Sequence, residues 1–103
     1  MKYAITYIET EKASKYLSVL CRHFSRKVAA TWNEAHGEIN FPVGRCMMIV
    51  NDNELLIECR SKDEEQLEKQ QTIIDSHLHL FSRREPIEAV WQYSTQPARV
   101  VTN

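Results

Sequence analysis

Residues 3–9 alternate, with Tyr3, Ile5 and Tyr7 on one side and Ala4, Thr6 and Ile8 on the other, which is the two-residue period of a strand. Beyond Thr10, a hydroxyl residue placed to cap a helix, Ala13, Tyr16, Leu17, Leu20, Cys21 and Phe24 recur at spacings of three and four. That spacing predicts an amphipathic helix of about four turns ending near Lys27. Val28–Glu34 and Glu38–Phe41 then read as a hairpin about His36-Gly37, with Gly37 supplying the positive φ of the turn. A two-residue turn there sets Trp32 opposite Phe41 and Ala30 opposite Val43. Pro42 cannot donate to a ladder and Gly44 permits a bend, so the strand ends at Phe41-Pro42-Val43-Gly44.

Arg45–Val50 and Glu54–Arg60 form a second hairpin about Asp52-Asn53, with Val50 facing Leu55, Met48 facing Ile57 and Cys46 facing Cys59. A slip of one residue would set Cys46 against Glu58 and Val50 against Glu54, so the first register is preferred. Ser61-Lys62-Asp63-Glu64 has the form of a capping box. It precedes a second helix whose apolar face carries Leu67, Ile74, Leu78 and Phe81, flanked by Ile73, His77 and Leu80, and which stops before Pro86. Glu88–Tyr93 reads as a last strand, and the tail 94–103, with Pro97 and little pattern, as mobile. The order is β-α-β-β-β-β-α-β in a single domain over 1–93. Two helices with one apolar face each suit an α+β two-layer sandwich, a mostly antiparallel sheet with both helices on one face.

Composition narrows the function classes. The 103 residues are 43% hydrophobic and 26% charged, with a formal net charge of −1 and a pI near 6.4. No global field draws such a chain to nucleic acid or to an anionic membrane, and no apolar run approaches the ~20 residues of a span. Charge is uneven: residues 1–27 carry a local excess of cations and 54–75 a local excess of acids. Helix dipoles favour cations at the end of one helix and acids at the start of the other, which accounts for this without a partner. Three cysteines, Cys21, Cys46 and Cys59, match no ligand spacing. With no export signal after Met1-Lys2-Tyr3, a reducing cytoplasm and buried thiols are expected, Cys46 and Cys59 as neighbouring core thiols without a disulfide.

His77 is the most informative residue, an imidazole inside the apolar arc of the second helix. His23 sits at the edge of the first helix's apolar face, one turn before Lys27. The two would form a pair between the helices. A metal there lacks support, because no carboxylate or thiolate has ligand spacing beside either histidine. The plainer reading, two partly buried histidines hydrogen-bonded to neighbours, is preferred. His79 and Asp75 read as a surface pair, and Arg83-Arg84-Glu85 either grips an anion or answers the helix dipole. No nucleophile elbow, P-loop, dinucleotide fingerprint or zincin motif is present.

Three segments together, Tyr16–Lys27, Gly37–Gly44 and His77–Glu85 with Trp91, resemble the small bacterial domain-of-unknown-function family 2218. The resemblance spans roughly residues 3–92. It implies a stand-alone cytoplasmic protein with some association with siderophore and iron uptake. It also makes Cys21, His23, Phe24, Lys27, His77, Phe81, Arg84, Glu85 and Trp91 signature positions without giving them roles. Members often carry a second histidine where this chain has Ser25-Arg26-Lys27.

Taken together, the residues predict a binding or accessory module without cofactor or metal, its candidate ligand-binding residues being His23, Lys27, His77, Arg84, Glu85 and Trp91. The alternative is a small enzyme using His77 or Glu85 as general acid or base. A homodimer is expected through the open sheet face, which would present Met47, Ile49, Leu56 and Thr31, with Ile8 if the first strand turns its tyrosines inward.

Overall fold

The computed structural model describes residues 1–85 and 87–98. Eight elements follow in the expected order: β1 (Lys2–Glu9), α1 (Ala13–Phe24), β2 (Ala29–Trp32), β3 (His36–Phe41), β4 (Gly44–Asn51), β5 (Glu54–Ser61), α2 (Glu64–Phe81) and β6 (Gln92–Ser94). The strands form one sheet in the order β2-β3-β4-β5-β1-β6, and every neighbouring pair is antiparallel. Leu17, Leu20, Ile74 and Leu78 of the helices close over Ala4, Ile8, Ile39, Met48, Leu55 and Ile57 in one core. The α+β two-layer architecture is therefore the one that the hydrophobic pattern predicts.

The β4–β5 hairpin holds the anticipated register, with Val50 opposite Leu55, Met48 opposite Ile57 and Cys46 opposite Cys59. Asp52 takes the left-handed conformation its turn needs, at φ 53°. All three cysteines are free and buried.

The β2–β3 hairpin differs. Its turn is Asn33-Glu34-Ala35, and Trp32 pairs with Gly37 and Ala30 with Ile39, in place of Phe41 and Val43. Asn33 decides this: its Oδ1 accepts the backbone N–H groups of Ala35 and His36, both at 2.9 Å, an Asx turn that outcompetes a turn at His36-Gly37. Gly37 lies in β3, without a positive φ. It is glycine for want of space, since a Cβ there would come within 2.8 Å of Cys21 Sγ and 3.3 Å of Leu17 Cδ2.

Both helix caps also fall elsewhere than the pattern suggests. Thr10 accepts the Lys12 N–H on its hydroxyl but does not cap α1, whose N-cap is Lys12. The N-cap of α2 is Asp63, accepting from Gln66 N at 2.9 Å, while Ser61 turns inward to donate to Val43 O. The first helix ends at Phe24, three residues early, because the N–H groups of Lys27 and Val28 both close on the Phe24 carbonyl. The last strand is only Gln92–Ser94, paired with Tyr3–Ile5 of β1. Residues 88–91 lie outside any strand, with Ala89 and Trp91 packed against the core and Trp91 bonded to Asp75 of α2.

The outer face of the sheet carries Tyr3, Ile5 and Tyr7, so Ile8 faces the helices. Glu58 projects outward yet is fully buried: Arg60 donates to Oε1 through Nε at 3.2 Å and Nη2 at 2.8 Å, and the Ala98 N–H donates to Oε2 at 2.7 Å. The chain after β6 thus returns across this face as far as β5. Residues 99–103 of the anticipated tail lie outside the described residues.

Candidate functional site

The helical period places His77 on the core side of α2 and His23 on the last turn of α1, and packing of the two helices brings the rings together. Their centroids are 4.7 Å apart with the planes tilted by 49°. Phe24 contacts His77 at 4.6 Å with the rings tilted by 56°, and Phe81 meets His23 edge-on at 5.5 Å, while Phe41 from β3 contacts Phe24 at 4.9 Å. The result is an aromatic cluster with two half-buried imidazoles at its centre.

His77 Nδ1 lies 2.7 Å from the Ile73 carbonyl oxygen. A carbonyl only accepts, so Nδ1 carries the proton and Nε2 of the neutral ring is left as an acceptor. Desolvation lowers the pKa of His23 most, helped by His77 and by the charges of Arg26 and Lys27. The neutral form of His23 is thereby favoured. Such a pair sets two imidazoles between flat apolar surfaces, with the cations Arg26 and Lys27 close by.

The other sequence-selected residues are distributed around α2. Lys27 acts on His23 through its charge, and its own side chain is exposed. Arg84 is exposed in the turn after α2. Glu85 reaches the start of α1, where Oε1 accepts the Thr10 and Tyr16 hydroxyls, both at 2.8 Å. Those two donors hold its carboxyl below the usual range, while burial and the carboxylate push Tyr16 up to about 12. Trp91 donates its indole N–H to Asp75 Oδ1 at 2.9 Å, so Asp75 engages Trp91 where a pair with His79 was anticipated. The structure thus joins His23 and His77 directly, and anchors Glu85 and Trp91 to other partners. Among the described residues no three His, Cys, Asp or Glu side chains converge as metal ligands.

A family model described as uncharacterised proteins conserved in bacteria matches residues 6–92 of the chain. The protein belongs to domain-of-unknown-function family 2218. The NMR structure of PA4090 from Pseudomonas aeruginosa superposes with a TM-score of 0.75 at 27% identity, covering 89% of this chain and 96% of that one. No curated protein matches the chain. In this family member Phe24 and Phe81 frame the histidine pair, and Cys21 packs under Gly37.

Two features escape sequence reading. Tyr16 counts as a core residue by its spacing, and nothing in the pattern joins it to Glu85, 69 positions later. Gln70 and Gln71 lie buried on the inner face of α2. Gln70 Nε2 donates to Arg60 O and Ser61 Oγ, both at 3.0 Å, which ties α2 to the end of β5. The only early signal was the polar gap that they leave in the helix's apolar stripe.

Proposed function

We propose that this family member is a small ligand-binding or accessory protein with the His23–His77 pair as its recognising centre. The observation that supports this is the contact of two half-buried imidazoles inside an aromatic cluster, one with its tautomer fixed by Ile73. Imidazole nitrogens beside flat apolar rings suit a planar or metal-chelating small molecule. The family resemblance directs the choice of ligand towards iron chelates of the siderophore type. Titration calorimetry of the full chain with ferric siderophores, haem and divalent metals tests the reading. Heat that is lost in both His77→Ala and His23→Ala supports it, and uniform absence of heat overturns the ligand assignment.

The rival reading is a small enzyme with His77 as general base, and the supporting observation is the Nδ1 contact with the Ile73 carbonyl, which turns Nε2 to the proton-accepting role in the neutral ring. Glu85 suits that task poorly, because two hydroxyl donors favour its ionised form and weaken its basicity. A turnover that vanishes in a folded His77→Ala variant would establish this alternative.

The same proposal places the protein in the reducing cytoplasm, with Cys46 and Cys59 facing each other unbridged in support. It also includes a homodimer through the uncovered part of the outer sheet face, where Tyr7 of β1 is 46% exposed and Ile49 and Met47 of β4, across β5 from it, are half-buried. Sedimentation as a monomer of about 12 kDa at high micromolar concentration would remove the dimer.

A further inference from the structure

Arg45 and Arg60 stand directly opposite each other in the β4–β5 register. Both project from the outer face, because Cys46 and Cys59 beside them face the core. Like charges opposed across antiparallel strands destabilise the pairing. Glu58 answers only Arg60: its Oε1 takes that guanidinium and its Oε2 takes the Ala98 N–H. Arg45 donates Nε to the neutral Asn40 Oδ1 at 3.2 Å and makes no salt bridge among the described residues, while Glu38 on the same face acts on Arg60 through its charge alone. Lys62, exposed just past β5, adds a third cation. The three line a surface cavity of about 630 Å³ together with Phe41, Pro42 and Gln66, and no carboxylate of the described residues lines it.

The cavity is also held firmly. Gly44, at φ +155°, presses against the end of β5, where a Cβ would collide with the Arg60 carbonyl oxygen and come within 2.5 Å of Ser61 Oγ. Ser61 Oγ donates to Val43 O at 2.7 Å, and Gln70 holds the Arg60 carbonyl from the helix side. The backbones that carry the two arginines are therefore locked to each other before any ligand arrives, which lowers the ordering cost of binding.

We propose that this cavity binds a phosphorylated small molecule, with the phosphoryl oxygens bridging Arg45 and Arg60, Lys62 adding charge, and the apolar part lying on Phe41 and Pro42. Each guanidinium presents a fork of donors, and a phosphate monoester brings two charges and three terminal oxygens, enough for both forks. A monocarboxylate satisfies one fork and leaves the arginine repulsion in place. This site uses none of the histidine pair, so it stands whether or not that pair binds a ligand.

Phenyl phosphate, titrated into the isotope-labelled full chain at about pH 7.5, where the monoester is dianionic, tests the site by NMR. Saturable shifts are expected at Gly44, Arg45 and Lys62. Arg45→Gln should weaken binding about tenfold, the loss of one charge-assisted pair, while Arg22→Gln on the exposed side of α1 should not change it. Arg45→Gln also removes a like-charge pair, so the variant should melt no lower than the parent, which separates lost binding from lost fold. Benzoate should bind at least about tenfold more weakly than phenyl phosphate, and binding should fall off below about pH 6. Equal binding of benzoate and phenyl phosphate, wild-type affinity in Arg45→Gln, or no saturation by about 10 mM would overturn the proposal.

Discussion

Gly37→Ala tests the β2–β3 hairpin at the point where pattern and structure part. The added methyl would sit 2.8 Å from Cys21 Sγ and 3.3 Å from Leu17 Cδ2, both on fully buried side chains of α1. Overpacking of that kind costs about 1–3 kcal/mol, against which alanine in place of a strand glycine returns about 0.5–1 kcal/mol. The net expectation is about 1–2 kcal/mol of destabilisation, a fall in melting temperature of roughly 4–16 °C for a domain of this size. Cys21→Ala alone should cost about 1–2 kcal/mol through the cavity it leaves. The double variant returns the lost volume from the opposite side. Its cost should therefore be smaller than the sum of the singles by about 1 kcal/mol or more. Urea unfolding followed by tryptophan fluorescence, with Trp32 adjoining the hairpin turn, supplies all four corners of the cycle. Strict additivity would refute the close approach of Gly37 to Cys21. So would a Gly37→Ala loss that Cys21→Ala leaves untouched, the result expected if the residue served a left-handed turn.

Cys46 and Cys59 should resist thiol reagents until the protein unfolds, and Cys46→Ala should cost about 1–2 kcal/mol; rapid native labelling of either would place them outside the core. Removing Arg60 strands the buried Glu58 carboxylate, so Arg60→Gln should destabilise by about 3 kcal/mol in denaturant titration, and Glu58→Gln by less, because Arg60 reaches solvent. His23 has a lowered pKa when folded, so the unfolded chain binds its proton first and stability should fall as pH drops below 6.5 towards the folded value; His23→Gln should flatten that limb of the stability profile. Tyr16 has a raised pKa, so the stability it contributes is complete below pH 10 and lost as pH rises towards about 12, a limb that Tyr16→Phe should abolish in alkaline melts.

Local periodicity determined most of the architecture. The alternation in β1, β4 and β5 and the three-four spacing in α1 and α2 name the elements, because each must turn one apolar face to a common core. The β4–β5 register was legible for the same reason, since a one-residue slip would set Glu54 and Glu58 against Val50 and Cys46 of the core face. That His23 and His77 lie on core-side arcs was legible too, as was the resemblance carried by the residues around them. What sequence could not decide was where competing polar groups settle. Asn33 or Gly37 could make the β2–β3 turn, Ser61 or Asp63 could cap α2, and Thr10 could cap α1 or reach Glu85. Each choice depends on which donor and acceptor the packed helices bring within about 3 Å. Pairs distant in the chain show the same limit at larger scale. Arg45 facing Arg60, Glu58 buried under Ala98, and Tyr16 bonded to Glu85 join residues from 15 to 69 positions apart. Hydrophobic spacing carries no record of such pairs, because it records only which side of an element avoids water, while their geometry exists only once the strands and helices have closed on one another.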